Sequence, residues 1–310
     1  MPESFRLDAV LAKVESTYGT DSVPAAATDS VRISRRLWSL ITVDYQWENR
    51  RQDAATGTLI PVKPAIPRGR KVRLDIFWEV KGAGVDAAPE ASPLYIGCGL
   101  PETDGTSLWD YGPLTSGTKG SASLYAYAAG LLFKCVGCRG RFRWPLVVGE
   151  IAVHQFTMFG LLAADPATTT LATPTYDTPE PIAGVNTALT IGAWTPDWLS
   201  GELDLTGVDP ELLASGNATD GIASFDFGSA DPQFRLSARK VALATYDPYA
   251  DLKARTTRNL VMTWGSVAFN RVKVISAPLS LLSHGHADSE GFTNWDLVYQ
   301  VESGGVLRFD

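Results

Sequence analysis

The chain has 310 residues, of which 45% are hydrophobic and 20% charged, and a net charge of −7. This composition excludes a disordered or collagen-like chain. The absence of any run of 18 apolar residues excludes a membrane-spanning helix. The acidic balance argues against direct reading of nucleic-acid phosphates. The length allows two domains or one large all-β domain.

Taken in chain order, the sequence reads mostly as strands. The opening Met1-Pro2-Glu3-Ser4-Phe5-Arg6 lacks a basic stretch followed by an apolar one. No secretion signal is expected from it, which counts against an outer-membrane porin. In residues 5–18, Leu7, Val10, Leu11, Val14 and Tyr18 recur at helical spacing and Gly19 follows as a stop. They predict a short amphipathic helix or docking arm. Such an arm should be dispensable for folding, so deletion of residues 1–20 is expected to leave a folded β-protein that assembles poorly. A Pro/Ala/Thr linker follows over 21–29.

Residues 39–47 alternate, with Ile41, Val43, Tyr45 and Trp47 on one face and Thr42, Asp44 and Gln46 on the other. Residues 49–69 carry three prolines and several cations and predict a long loop. Residues 71–81 alternate again, and 82–120 read as turn material apart from a short apolar piece around Tyr95. Strands are expected over 123–128, 131–136, 141–144 and 150–159, and a Thr/Pro-rich loop over 166–187. The second half continues with strands over 189–194, 202–205, 222–227, 234–244, 260–269, 272–276, 295–301 and 306–309. A single helix is expected at 247–255, with Asp247 as its cap and Pro248 at its first position. The fold class is therefore mainly β, with small flanking helices. The division expected is an arm and linker over 1–30, one sandwich-like half over 31–160 and another over 161–310, with duplication possible.

Charge is unevenly distributed. Residues 1–160 hold 18 Lys/Arg and 16 Asp/Glu, whereas residues 161–310 hold 9 and 18. Between Arg143 and Arg235 there are twelve carboxylates and no cation. This is either a solvated acidic surface or a deliberately anionic wall.

No catalytic or cofactor signature emerges. A nucleophile elbow, a phosphate loop and a calcium loop are all absent from the sequence. No cofactor, metal or catalytic residue is assigned, and no enzymatic activity is expected. Three cysteines suit a reducing cytoplasm without a disulfide framework. Cys135 and Cys138 have the spacing of half a zinc knuckle, with His284 and His286 as the conceivable remainder. On a regular strand, however, positions three apart point to opposite faces, so small buried hydrophobes are expected instead. His154 alternates with Phe156 and Met158 and reads as a packed or interface histidine rather than a catalyst. Nine tryptophans and many carboxylates leave a carbohydrate-active or carbohydrate-binding protein as an alternative, with Trp194 and Trp198 as its exposed platform.

The stretch Leu11-Ala12-Lys13-Val14-Glu15-Ser16-Thr17-Tyr18-Gly19-Thr20-Asp21, followed by Val23-Pro24, resembles the opening of major tail tube proteins of long, non-contractile-tailed bacteriophages. An apolar strand, then Gly137-Cys138-Arg139-Gly140, Gly149-Glu150 and a strand ending Phe159-Gly160-Leu161, resembles the middle of the same family. Residues 82–120 and 165–187 match nothing in it and read as insertions.

The resemblance implies a tail-tube-type β-sandwich or barrel and a structural role in the virion. Such proteins stack as rings around a channel through which DNA enters the host, and their sheets join across subunits. It also implies self-association, with tape-measure, tail terminator and distal tail proteins as further partners. DNA would pass without specific binding, and no membrane would be involved. The protein would be made in the host cytoplasm and end in the virion tail. Another tail or baseplate component is the neighbouring alternative. A ring of three duplicated chains is favoured over one of six, because strands fill both halves.

On this reading Asp44, Gln46, Glu202, Asp204 and Asp226 are candidate lumen-facing residues, since an anionic wall repels DNA weakly at short range. Arg50, Arg51, Lys63, Arg68 and Arg70, with Arg35 and Arg36, are candidates for meeting acidic surfaces of the adjacent ring.

Overall fold

In the computed structural model the described residues are 8–35, 37, 39–51, 62–112, 119–170, 173–185, 187–216, 222–289, 291–302 and 305–310. For 45–51, 62–68, 276 and 289 the description covers the backbone alone. The fold is mainly β, with two short helices.

The first half supplies β1 (Ala9–Val14), β2 (Ser30–Val31), β3 (Ile41–Arg51), β4 (Val62–Glu79), α1 (Ser92–Gly97), β5 (Glu102–Gly105), β6 (Leu108–Tyr111), β7 (Ala122–Ala128), β8 (Leu131–Val147) and β9 (Val153–Leu162). The second supplies β10 (Ala167–Thr168), β11 (Ala188–Ile191), β12 (Trp198–Asp204), β13 (Glu211–Ala214), β14 (Ile222–Asp226), β15 (Gln233–Arg239), α2 (Pro248–Ala254), β16 (Thr257–Val267), β17 (Asn270–Ser289), β18 (Phe292–Val301) and β19 (Val306–Phe309).

Two groups of antiparallel strands result. One runs β2-β1-β7-β8-β9-β4-β3, and the other runs β11-β16-β17-β18-β15-β12. One hydrogen-bonded seam joins them, where β12 pairs with the last four residues of β8, Trp144 to Val147. β19 pairs with both β17 and β6, so the β5–β6 hairpin extends the second group. β13 and β14 form a separate hairpin.

The alternation over 71–81 predicts which face of β4 is buried. On β4, Val72, Leu74, Ile76 and Trp78 are buried, and on β18 so are Trp295, Leu297, Tyr299 and Val301. One continuous apolar core spans both groups. Aromatic contacts cross it: Trp78 of β4 lies 6.1 Å from Phe309 of β19, and Trp144 of β8 lies 5.3 Å from Trp264 of β16. Tyr95 of α1 packs among Tyr111, Phe142, Phe156 and Phe309.

Three expectations are corrected here. The N-terminal segment is strand, not helix, from Ala9 to Val14; residues 1–7 lie outside the described set. β1 pairs with β7 along its whole length and with β2 at Val10 and Leu11, and Ala9, Val10, Leu11 and Ala12 are all buried. Apolar residues at helical spacing therefore mark a strand covered on both faces. Deleting residues 1–20 removes this buried, paired strand rather than a dispensable arm.

Next, the described parts of the loop expected over 49–69 are strand, since β3 runs to Arg51 and β4 starts at Val62; residues 52–61 lie outside the described set. Pro64 and Pro67 are tolerated because this part of β4 pairs with β3 alone and needs no donor on its other side. Finally, α1, β5 and β6 occupy the stretch read as turns. α2 forms where expected, with Asp247 Oδ1 accepting the Tyr249 and Ala250 N–H groups at 3.0 and 3.1 Å.

Candidate assembly surfaces

The two sequence segments that carried the family resemblance meet in space. β8 contains one residue more than either neighbour between Cys135 and Arg139, a bulge against both β7 and β9. Gly137 sits in it with φ of 61°, the left-handed region that suits glycine. The bulge turns the Gly137 N–H toward Glu15, whose Oε1 accepts it at 2.8 Å. The same oxygen accepts Ser123 Oγ–H at 2.8 Å, while Oε2 accepts Ser121 Oγ–H at 2.7 Å and the Gly19 N–H at 2.8 Å. Glu15 is buried, and four donors satisfy its carboxylate.

Tyr18 lies over the bulge. A methyl group on Gly137 would meet Tyr18 Cζ at 2.8 Å. The Tyr18 hydroxyl accepts the Phe225 N–H at 2.8 Å, and burial raises its pKa. Arg139 stacks on the Tyr18 ring at 4.7 Å. It also donates to the Phe225 carbonyl at 2.8 Å and to Asp226 Oδ1 at 3.1 Å. Asp21 closes the segment by accepting the Tyr125 hydroxyl at 2.5 Å. The N-terminal motif is thus a latch that fixes the bulge and pins the β13–β14 hairpin. Its partners lie about a hundred or two hundred residues away, so no local pattern could have shown them.

The bulge also changes the cysteine geometry. Cys135 and Cys138 were expected on opposite faces. The extra residue places both in the core. Burial, then the Cys135 contact, raises the Cys138 thiol far above its ordinary value. Both are free thiols. Among the described residues no group of three or more His, Cys, Asp or Glu side chains could hold a metal.

The candidate lumen residues occupy different environments. Asp44 of β3 is half-exposed and pairs with Lys71 at 2.9 Å. It lines a cleft of about 300 Å³ between the β3–β4–β9 sheet and the β13–β14 hairpin, with Phe159, Leu212 and Phe225 as apolar walls. Gln46 lies on the same strand, and its side chain is outside the described set. Glu202 of β12 is partly exposed and has no ion partner among the described residues. Asp204 is buried: Arg141 grips Oδ2 with Nε at 2.7 Å and Nη2 at 2.5 Å, and Oδ1 accepts the Thr206 and Gly207 N–H groups. It therefore offers no free carboxylate to a channel. Asp226 is held by Lys119 and Arg139, both at 3.1 Å. Burial opposes its ionisation, but these cations and the Phe227 N–H prevail and hold its pKa below the usual range.

Among the described residues, five carboxylates of the cation-free segment thus pair with cations from elsewhere in the chain, Asp226 among them. Asp165 pairs with Arg70, Asp197 with Arg239, and Asp209, like Asp204, with Arg141.

The candidate stacking residues fall on one feature. Beyond Arg70, β3 and β4 continue as a two-stranded ribbon past the register of β9, which pairs with β4 from Lys71 to Glu79. Arg50 stands opposite Lys63, and Arg51 opposite Val62. Arg68 lies on the same ribbon; the side chains of Arg50, Arg51, Lys63 and Arg68 are outside the described set. Arg70 at its base bonds Asp165 at 2.5 Å, and Arg35 stacks on Phe77 at 4.1 Å. Arg36 lies outside the described residues. β3 pairs only with β4 among the described strands, so its other edge is open.

The platform expected of Trp194 and Trp198 is not formed. Trp194 is buried and stacked on Tyr246 at 4.0 Å, and Trp198 packs 5.9 Å from Trp264. Sequence reading also missed the Lys81–Glu90 ion pair, which is fully buried at 3.2 Å and ties both apparent insertions to β4 through Trp78 and Asp177.

No protein-family model and no curated protein matches this sequence.

Proposed function

We propose that this chain is a non-enzymatic structural protein of a phage tail, polymerising as stacked rings into the tube through which DNA leaves the virion. The observation that supports this reading most is the latch. The segments 11–21 and 137–140 resemble one family in sequence, and they pack on each other here through Glu15, Tyr18 and Gly137. A shared motif with a shared structural task is more specific than a shared order of strands.

Two further features fit the reading. The open edge of β3 offers backbone groups to a neighbour, and ring closure would satisfy them. The β3–β4 ribbon carries Arg50, Arg51, Lys63 and Arg68 away from the sheet, in position to meet carboxylates of the next ring. Asp44 and Glu202 remain as carboxylates available to a bore, whereas Asp204 is withdrawn from that set. Three chains per ring stays the favoured count, each half supplying one group of strands.

The deciding experiment is negative-stain microscopy of the purified full chain with native mass of isolated rings. Annular or tubular particles are expected, with a ring mass near three times 33.4 kDa. A strictly monomeric protein at all concentrations overturns the reading, and a ring near six times that mass overturns the trimer alone.

A further inference from the structure

We propose that His284 and His286 form a surface chelate for a divalent transition-metal ion of the zinc, nickel or copper class. The two residues are separated by one position on β17, so their side chains leave the same face of the strand. Their ring centroids lie 6.1 Å apart.

Both imidazoles are held by their surroundings. On β18, Leu297 stands opposite His284 and Trp295 opposite His286. The buried Trp295 ring lies 4.7 Å from His286 and 5.8 Å from His284. From α2, the Tyr249 ring packs 4.5 Å from His284, and its hydroxyl lies 3.3 Å from His286 Nε2. Packed rings lose less freedom on chelation than free ones. His284 Nδ1 is buried without a hydrogen-bond partner among the described residues, which leaves Nε2 as the outward nitrogen. Imidazole nitrogen suits zinc, nickel and copper.

Two protein ligands are fewer than the three or four of a catalytic or structural zinc site, so water completes the shell and the ion exchanges readily. Binding at Nε2 requires the His284 ring proton on Nδ1, which faces no acceptor among the described residues, and this limits affinity. The assignment is unusually clean. The chain has three histidines, and the third, His154, is fully buried with Nδ1 bonded to Tyr95. All three cysteines are buried as well. The proposal does not depend on the tail-tube reading.

The test uses the untagged full chain and nickel chloride in isothermal titration. One saturable equivalent, reversed by chelator, is expected. His284→Asn and His286→Asn should each weaken binding by more than about tenfold with unchanged circular dichroism. Proton NMR of the wild type decides without any variant: nickel should broaden two histidine ring signals and spare the third. No saturable uptake at millimolar nickel, uptake unchanged in both variants, or equal broadening of all three histidines overturns the proposal.

Discussion

The Glu15 carboxylate and the Gly137 N–H, 122 positions apart in sequence, are joined at 2.8 Å in the interior. The bond exists because Gly137 adopts a left-handed φ of 61° that turns its N–H out of the strand ladder. Neither residue keeps its role if the other changes. Glu15→Ala leaves four donors without their acceptor and should cost about 3 kcal/mol. Gly137→Ala combines backbone strain with a collision against Tyr18 and should cost about 1–3 kcal/mol. Urea unfolding of both variants and the double mutant checks this. The double mutant should lose less than the sum, because the sites share one contact.

Tyr18→Phe isolates the hairpin end of the latch. The Phe225 N–H loses its acceptor, and stability should fall by about 1 kcal/mol. Hydrogen exchange at Phe225 should speed up while β7 and β8 keep their protection. Unchanged exchange at Phe225 would show that the hydroxyl does not pin the hairpin.

Asp44 and Asp204, alike in the sequence pattern, should respond differently to charge reversal. Asp204→Lys leaves Arg141 facing a second cation in a buried site and should cost about 3–5 kcal/mol or abolish folding. Asp44→Lys, on the half-exposed β3 face, should stay within about 0.5–1 kcal/mol. Denaturation midpoints decide the contrast. Equal losses would refute the placement of Asp204 beneath Arg141.

His154 should make the fold acid-sensitive. Burial depresses its pKa well below 6.5 in the folded state. The unfolded chain therefore binds the proton more readily. Its stabilising contribution is complete above about pH 6.5 and declines as pH falls, by about 1.4 kcal/mol per unit while only the unfolded state is protonated. Urea midpoints from pH 7 to 5 should fall for the wild type and flatten for His154→Phe. The variant pays a fixed, pH-independent loss at Tyr95, whose hydroxyl otherwise bonds His154 Nδ1 at 2.5 Å.

The ribbon carries the assembly prediction. Reversing Arg50, Arg51, Lys63 and Arg68 to Glu should leave the monomer folded, because β4 from Lys71 onward is anchored independently by β9. Rings should then fail to stack, and size-exclusion profiles should shift from tubes to single rings or monomers. Raising the salt should weaken stacking of the wild type in the same direction, since screening shortens the reach of exposed charges to about 8–10 Å. Tubes of normal length from the reversed variant would remove the ribbon from the interface.

The sequence by itself determined the mainly β class, the buried face of β4, and α2 with its Asp247 cap. All of these rest on local rules, such as a two-residue alternation or a capping side chain two or three positions from the N–H it accepts. It misread residues 9–14 as helix, because a strand covered on both faces loses its alternation. It separated Cys135 from Cys138 because a bulge adds one residue that no periodicity announces. It placed Asp204 beside Asp44 as a free carboxylate because alternation gives the face of a strand but not what covers that face. Only the tertiary structure brought Arg141 over Asp204, Arg139 over Tyr18 and Glu15 under Gly137. Each of these contacts joins residues more than sixty positions apart, where the energy of a buried charge depends on a partner that the chain meets only after folding.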